Sequence, residues 1–348
     1  MRIAILGTGG MAHTHAQAYQ EIEGVSVVAG IEPNAERLAE FQKTFDIPNG
    51  FLSLEEALNW GTFDAVSNVT PDAVHIATTL PLLEAGKHVL CEKPLATTEV
   101  DAQKMAAAAR AAGVVNMVNL SYRDVPALVE AARLVGEGAI GEVRHFEASY
   151  LQSWLTQPLW GEWRLEDTWL WRLSTEHGSL GVLGDVGIHI LDFATHIAGS
   201  DVAKISAKLA TFDKAPDGKI GDYVLDANDS ATMQVVLNNG AHGVVHTSRF
   251  ASGHINDLRL RIYGTKGGLD VRSENFESAL FGCFEVALES AKWSALPTPK
   301  TKTNYERFVD ACRKNQPVLP DFDRGAVLQS VLDRAVQSDA QDALMLPI

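Results

Sequence analysis

Four side chains carry the chemistry this sequence offers most openly. Lys93 sits in "CEKPLA", and Asp185, His189 and Asp192 sit in "GDVGIHILD". An imidazole moves protons near neutral pH, a lysine can donate to a developing oxyanion, and a carboxylate can orient either. At spacings i, i+4 and i+7, Asp185, His189 and Asp192 share one helix face. Val186, Ile190, Phe193 and Ile197 repeat that spacing one residue on, as an apolar stripe. Burying charge is costly unless the charge is paired or used. The stripe is therefore either a satisfied structural face or a reactive one, and the segment alone leaves both open.

A second signal is the loop "LGTGGMA", with Gly7, Gly9 and Gly10, and Ala12 in the third fingerprint position. It follows an apolar run that reads as a first strand and opens a helical pattern. In that context backbone N–H groups and the helix dipole hold a pyrophosphate. Thr8 and Met11 belong to the same cofactor loop. The next strand ends at Glu32, 25 residues after Gly7. A carboxylate there accepts both adenosine ribose hydroxyls and repels a 2′-phosphate, so NAD is expected over NADP. Two further strand ends, Thr70-Pro71 and Glu92-Lys93-Pro94, are expected at the carboxyl edge of the same sheet, facing the nicotinamide. His75, one helical turn after Thr70-Pro71, is a candidate contact to the nicotinamide ribose.

Short aliphatic runs alternating with helical patterns over the first 120 residues predict βαβ units and a parallel sheet. Beyond residue 122 the pattern changes. "GEVRHFEASYLQS" alternates like a half-exposed strand, and two later stretches each read as paired strands, around Asn239-Gly240 and around Thr265 to Gly268. The expected fold class is α/β. A Rossmann dinucleotide-binding domain spans residues 1–121, and a substrate-binding and oligomerisation domain spans 122–348. The second is an α/β domain on an open, mainly antiparallel sheet. The C-terminal helical patterns are free to pack back on the first domain. Residues 212–222 are expected to be a mobile loop.

Composition narrows the partners. The net charge of −15 argues against nucleic acid and anionic membranes, which demand clustered Lys and Arg. There is no run of 18 apolar residues, so no transmembrane helix is expected. Three scattered cysteines, Cys91, Cys283 and Cys312, indicate a reducing compartment, so a cytoplasmic location is expected. Their spacing suits no metal. A zinc site built on Asp185, His189 and another histidine is conceivable, but a lysine and a nicotinamide already supply the electrophilic function.

"GTGGMAHTHA", "TPDAVHIATTLPLLEAGKHVLCEKPLA" and "GDVGIHILDFATHIAG" together resemble the signature regions of the Gfo/Idh/MocA oxidoreductases. These are NAD(P)-dependent sugar and polyol dehydrogenases related to inositol dehydrogenase and glucose–fructose oxidoreductase. The resemblance implies a catalytic lysine at Lys93, in the EKP motif, and catalytic Asp185 and His189, in a D-x-G-x-H motif. His189 would be the general base, Lys93 the donor to the reacting oxygen, and Asp185 the residue that orients a substrate hydroxyl or the lysine and shares the proton path. Asp192 reads as a structural residue. Tyr122 and Arg123 would lie near the substrate, with a structural ion pair as the other reading of Arg123. His15 matches a recurrent family position, although packing alone accounts for it.

"SWLTQPLWGEWRLEDTWLWRLSTEHG" departs from many members of the family and holds Trp154, Trp160, Trp163, Trp169 and Trp171. Most of these indoles suit a hydrophobic plug or a subunit contact. Indole faces also stack on sugar C–H faces, so Trp163, Arg164 and His177 are candidate substrate contacts. The expected activity is hydride transfer between the nicotinamide and a secondary alcohol of a sugar, glycoside or cyclitol, in a homodimer or homotetramer. Two alternatives are a nonredox glycoside-processing enzyme that uses NAD transiently and a non-catalytic NAD-binding regulator.

Overall fold

The computed structural model describes residues 1–275 and 277–348. The chain divides into two compact units, residues 1–120 with 302–329, and residues 121–301 with 330–348. In the first unit the elements are β1 (Arg2–Leu6), α1 (Gly10–Gln20), β2 (Ser26–Ile31), α2 (Ala35–Phe45), β3 (Asn49–Phe51), α3 (Leu54–Trp60), β4 (Ala65–Asn68), α4 (His75–Glu84), β5 (His88–Cys91), α5 (Glu99–Ala112) and β6 (Asn116–Val118). The six strands form one sheet in the order β3-β2-β1-β4-β5-β6, and every pairing is parallel. Helix starts follow local chemistry. Asn34, Ser53 and Thr98 each cap a helix with a side-chain oxygen, and α5 stops at Gly113 in the left-handed region. The order reverses between β1 and β4, the crevice where such sheets bind dinucleotides.

In the second unit, α6 (Pro126–Gly136), β7 (Val143–Leu151), α7 (Asp167–Leu170), α8 (Ile188–Ala198), β8 (Val202–Ala210), β9 (Lys219–Ile220), β10 (Tyr223–Val224), β11 (Ser230–Leu237), β12 (His242–Ser248), β13 (Asp257–Gly264), β14 (Gly267–Glu274), β15 (Glu277–Phe284), α9 (Ala287–Ser290) and β16 (Ser294–Leu296) follow in turn. The tail supplies α10 (Asn304–Lys314), α11 (Phe322–Ala340) and β17 (Leu346–Pro347). α10 buries Phe308 and Val309 in the core of the first unit, with Ile3, Ile5, Tyr19, Leu90 and Met117.

The large sheet has nine strands, in the order β16-β15-β14-β13-β7-β12-β11-β8-β17. It is mixed: β7 and β12 run parallel, and the other neighbours are antiparallel. Helices α6 and α8 pack on it. Ten residues of α8 are buried, among them Ile190, Phe193 and Ile197 of the apolar stripe. Residues 212–222 are no free loop: they carry β9, and the Lys214 ammonium is buried against Asp229 at 2.6 Å. Removing a buried cation from water is costly, and Asp229 offsets that cost only if Lys214 stays in place.

Candidate active site

In the first unit the site residues gather on the carboxyl edge of the parallel sheet. Gly7 has φ +86, and a Cβ there would meet the Val69 carbonyl oxygen at 2.9 Å, so the turn out of β1 requires glycine. Gly9 and Gly10 have open space where a Cβ would stand. Gly9 precedes α1 with no side-chain cap, leaving the first N–H groups of the helix to meet an anion. Glu32 closes β2 and is buried. Its carboxylate accepts from Thr8 N (3.1 Å), Thr8 Oγ1 (3.2 Å) and Asn34 N (3.1 Å). The carboxylate is thus fixed in orientation, and two oxygens with about four acceptor positions keep capacity for ribose hydroxyls. Uncapped helix end, open glycines and oriented acid fit a dinucleotide. Met11 is exposed beside them.

Lys93 follows β5 and is half-buried. Its backbone N–H donates to Glu92 Oε2 at 3.2 Å. The Glu92 carboxylate, expected at the cofactor, is engaged by neighbouring side chains. Its Oε1 accepts from Asn119 Nδ2 at 2.7 Å and from His15 Nε2 at 2.9 Å; a carboxylate only accepts, so that ring nitrogen carries the proton. The other His15 nitrogen lies 2.6 Å from Ser67 Oγ. Burial alone would raise the Glu92 pKa. The bond and charge of His15, the Asn119 amide and the Lys93 charge outweigh burial and hold it at about 2, against an ordinary 4.5. Glu92 therefore anchors the segment that carries Lys93. A depressed carboxylate contributes stability above its unfolded pKa and loses it as pH falls. Melting temperature should therefore decline between about pH 4.5 and about pH 2. The decline should be smaller in Glu92→Gln, as thermal scans across that window will show.

His75 also departs from expectation. It is fully buried, and its ring nitrogens each lie 2.9 Å from a backbone carbonyl, Nδ1 from Pro94 and Nε2 from Thr70. Two carbonyl acceptors require both ring N–H groups. Burial opposes that charge, and Cys91, Asp72 and the Pro94 carbonyl outweigh it, so the pKa is raised. His75 braces the Thr70-Pro71 and Lys93-Pro94 strand ends and presents no ring nitrogen to a ribose.

In the second unit, the turn leading into α8, Leu183–Gly187, is a π-turn, a feature often found at functional sites. The three polar side chains of the expected stripe then take different partners. Asp192 is buried and binds Arg123 in a two-pronged ion pair, 2.5 and 2.7 Å, while Arg123 Nη1 lies 2.8 Å from His196 Nδ1. The substrate role expected of Arg123 gives way to this pair, because each terminal nitrogen and Nε is engaged. Asp185, with 30% of its side chain exposed, accepts from the fully buried Arg249 at 2.9 Å. Burial draws the Arg249 pKa down while the charges of Asp185 and Asp229 oppose it. His189 is buried under the edge of the Tyr122 ring, with centroids 5.1 Å apart.

Around His189 runs a closed hydrogen-bond cycle. Asn256 Nδ2 donates to Tyr122 (2.7 Å), Tyr122 to Tyr150 (2.6 Å), and Tyr150 to Asn256 Oδ1 (2.6 Å). Gln152 Nε2 also donates to Asn256 Oδ1 (2.8 Å), and Trp154 Nε1 to Gln152 (3.1 Å). Burial pushes Tyr122 up to about 12 and raises Tyr150 well above the ordinary phenol value. Both phenols therefore stay protonated near neutral pH. Trp154 and Trp163 are buried with Leu155, Leu170, Leu173 and Leu225 in a satellite core, against which Trp160 and Trp169 pack. Trp163 thus belongs to a plug and not to a sugar-stacking surface. Arg164 lies over its ring at 4.3 Å and is exposed. His177 is exposed on Tyr223, with its Nδ1 2.9 Å from Ser174 Oγ. Among the described residues no group of three His, Cys, Asp or Glu could hold a metal ion.

The residues that sequence reading missed are Arg249, Tyr150, Gln152 and Asn256. A signal existed for two of them. Counting by twos, Arg249 continues the buried register Val245, Thr247, and Tyr150 continues Phe146, Ala148.

Comparison with known proteins accords with this geometry. A family profile described as an oxidoreductase family with an NAD-binding Rossmann fold matches residues 1–120, and the GFO/IDH/MocA C-terminal domain matches residues 128–270. The chain is 34% identical over 342 residues to scyllo-inositol 2-dehydrogenase (NADP(+)) of Bacillus subtilis, covering 96% of both chains. It belongs to the Gfo/Idh/MocA oxidoreductases. Levoglucosan dehydrogenase of Pseudarthrobacter phenanthrenivorans is 28% identical over 298 residues, covering 77% of this chain and 73% of that one. A levoglucosan dehydrogenase solved with NADH and L-sorbose superposes with a TM-score of 0.87 at 26% identity, covering 100% of this chain and 98% of the other. As in other Gfo/Idh/MocA oxidoreductases, the NAD-binding Rossmann unit is the N-terminal one, residues 1–120.

Proposed function

We propose that the protein oxidises a secondary alcohol of a sugar, glycoside or cyclitol, and reduces the ketone in reverse. The presence of Lys93, Asp185 and His189 at the family's motif positions, with His189 set among protonated phenols, carries this reading. His189 takes the hydroxyl proton, since it alone in its cluster is an imidazole with nearby tyrosines that stay neutral. Lys93 donates to the reacting oxygen and stabilises its developing charge, and Glu92, His15 and Asn119 hold its backbone in place. Asp185 orients a substrate hydroxyl. The bound nicotinamide supplies the hydride acceptor. Inositol and levoglucosan dehydrogenases among the relatives support a cyclic polyol substrate, with Tyr122, Arg164 and His177 as contacts. Following reduced-cofactor absorbance across sugars, inositols and anhydrosugars tests the reading; no turnover on any of them would overturn it, whereas product without net NADH would mark a nonredox reaction.

Thr70, Pro71, Thr8 and Met11 complete the proposed cofactor edge. Glu32 supports NAD over NADP. The expected kcat/KM is higher with NAD, and Glu32→Ser should narrow the gap, because the acid that repels a 2′-phosphate is gone. Steady-state kinetics with both cofactors measures this, and a wild-type preference for NADP would refute it.

We also infer a homodimer or homotetramer in the cytoplasm. One face of the large sheet is left without a covering helix and carries exposed Val244 and half-buried Tyr263 and Phe281 around the ion pairs of Glu147, Arg261 and Asp270, and an uncovered sheet face of this kind suits a subunit interface. The three cysteines are buried and unbridged, and among the described residues no helix is long and apolar enough to cross a membrane. Light scattering at micromolar concentration should return a mass above one chain; a monomer counts against the assembly.

A further inference from the structure

Arg249 is the largest fully buried charged side chain in the protein. It follows β12, at the point where the buried register of that strand leaves the sheet. Its Nη2 donates to Asp185 Oδ2 at 2.9 Å, its Nη1 to the Arg172 carbonyl at 3.0 Å, and its guanidinium lies 5.0 Å from the centre of the Trp154 ring. Its backbone N–H donates to the carbonyl of Asp229, whose carboxylate pairs with buried Lys214. Charges thus alternate through the interior: Lys214, Asp229, Arg249, Asp185. A guanidinium with no exposed surface is held in place by its neighbours and stays charged. The carboxylate it meets is the only partly exposed member of the chain, at 30%.

We propose that Arg249 is a positioning residue for the reaction: it fixes Asp185 as a permanently charged, oriented acceptor for a substrate hydroxyl. This rests on the dehydrogenase reading above and refines it. A carboxylate bound to a buried guanidinium is a poor proton acceptor, so the proton path runs through His189 and not through Asp185. Trp154, which packs both on Arg249 and in the tryptophan plug, ties the plug to the orientation of Asp185.

The test is a double-mutant cycle of Arg249→Met and Asp185→Asn, with Arg249→Lys beside it. Melting temperature, kcat, and KM for sugar and for NAD are measured on each preparation. Arg249→Met is expected to raise the sugar KM and lower kcat, together roughly 10²-fold in kcat/KM, the scale of a small misplacement of a reacting group. The NAD KM should stay unchanged. Arg249→Lys should recover part of the loss, since it restores the charge without the fork. The double variant should match the worse single variant within about threefold, because both changes remove one function. Additive losses, or Arg249→Lys as poor as Arg249→Met in folded protein, overturn the inference. If Arg249→Met does not fold, the cycle is run with Arg249→Lys, and additivity there has the same meaning. A wild-type protein inactive on every sugar tested, with coupled melting temperatures across the cycle, overturns the functional reading and leaves the ion pair standing.

Discussion

Replacing His189 with alanine is expected to lower kcat by about 10²–10⁴-fold, the range for a lost acid–base group. NAD affinity should barely change, since the proposed cradle for the dinucleotide is built on Gly9, Gly10 and Glu32, not on His189. The tyrosines beside His189 cannot replace it: burial holds Tyr122 at about 12 and raises Tyr150 well above the ordinary phenol value. Lys93→Ala should lower kcat comparably. Lys93→Arg should not rescue it, because guanidinium is larger, planar and does not give up its proton. Asp185→Asn should keep the fold and weaken both binding and turnover. A purely structural helix face predicts the opposite pattern: lowered melting temperatures for His189→Ala and Asp185→Asn, with turnover per folded molecule nearly intact. Melting temperature and kcat measured on the same preparations decide between the two.

Arg123→Met should destabilise the protein by about 3–5 kcal/mol, because Asp192 is left buried without its cation. Both side chains are nearly inaccessible, at 6% and 4% exposure, and the pair is two-pronged. The charge therefore has no solvent to fall back on. A shift of roughly 10 °C in melting temperature is the matching scale. Turnover per folded molecule should be close to wild type. Arg123→Met combined with Asp192→Leu should recover most of the loss, since an apolar pair of similar volume needs no counter-charge. If Arg123→Met instead raises the sugar KM with melting temperature unchanged, Arg123 binds substrate, as the resemblance to the family implied.

Much of this protein was legible before any coordinates. The alternation of aliphatic runs with helical patterns named the parallel sheet, since strands buried on both faces read as short continuous apolar runs. The short β3 and α3 escaped, because three apolar-poor residues and a two-turn helix carry little periodicity. The tight turn at Gly7, the open glycines after it and the acid closing β2 were legible because these backbone conformations and that acid are properties of residue type and spacing. Lys93, Asp185 and His189 were likewise visible, as motif positions and as chemical types.

Tertiary structure alone decided which partner each polar side chain takes. Asp185, His189 and Asp192 repeat at helical spacing, yet a π-helical turn before α8 and partners from distant segments give them different surroundings. Arg249 comes to Asp185 across 64 residues and Arg123 to Asp192 across 69. Glu92 finds His15 77 residues away. Local sequence specifies which backbone a segment adopts and which face it buries, because those depend on neighbours within a turn or two. The state of a buried charge depends on the counter-charge that the fold carries to it, and that is set by how separate segments pack.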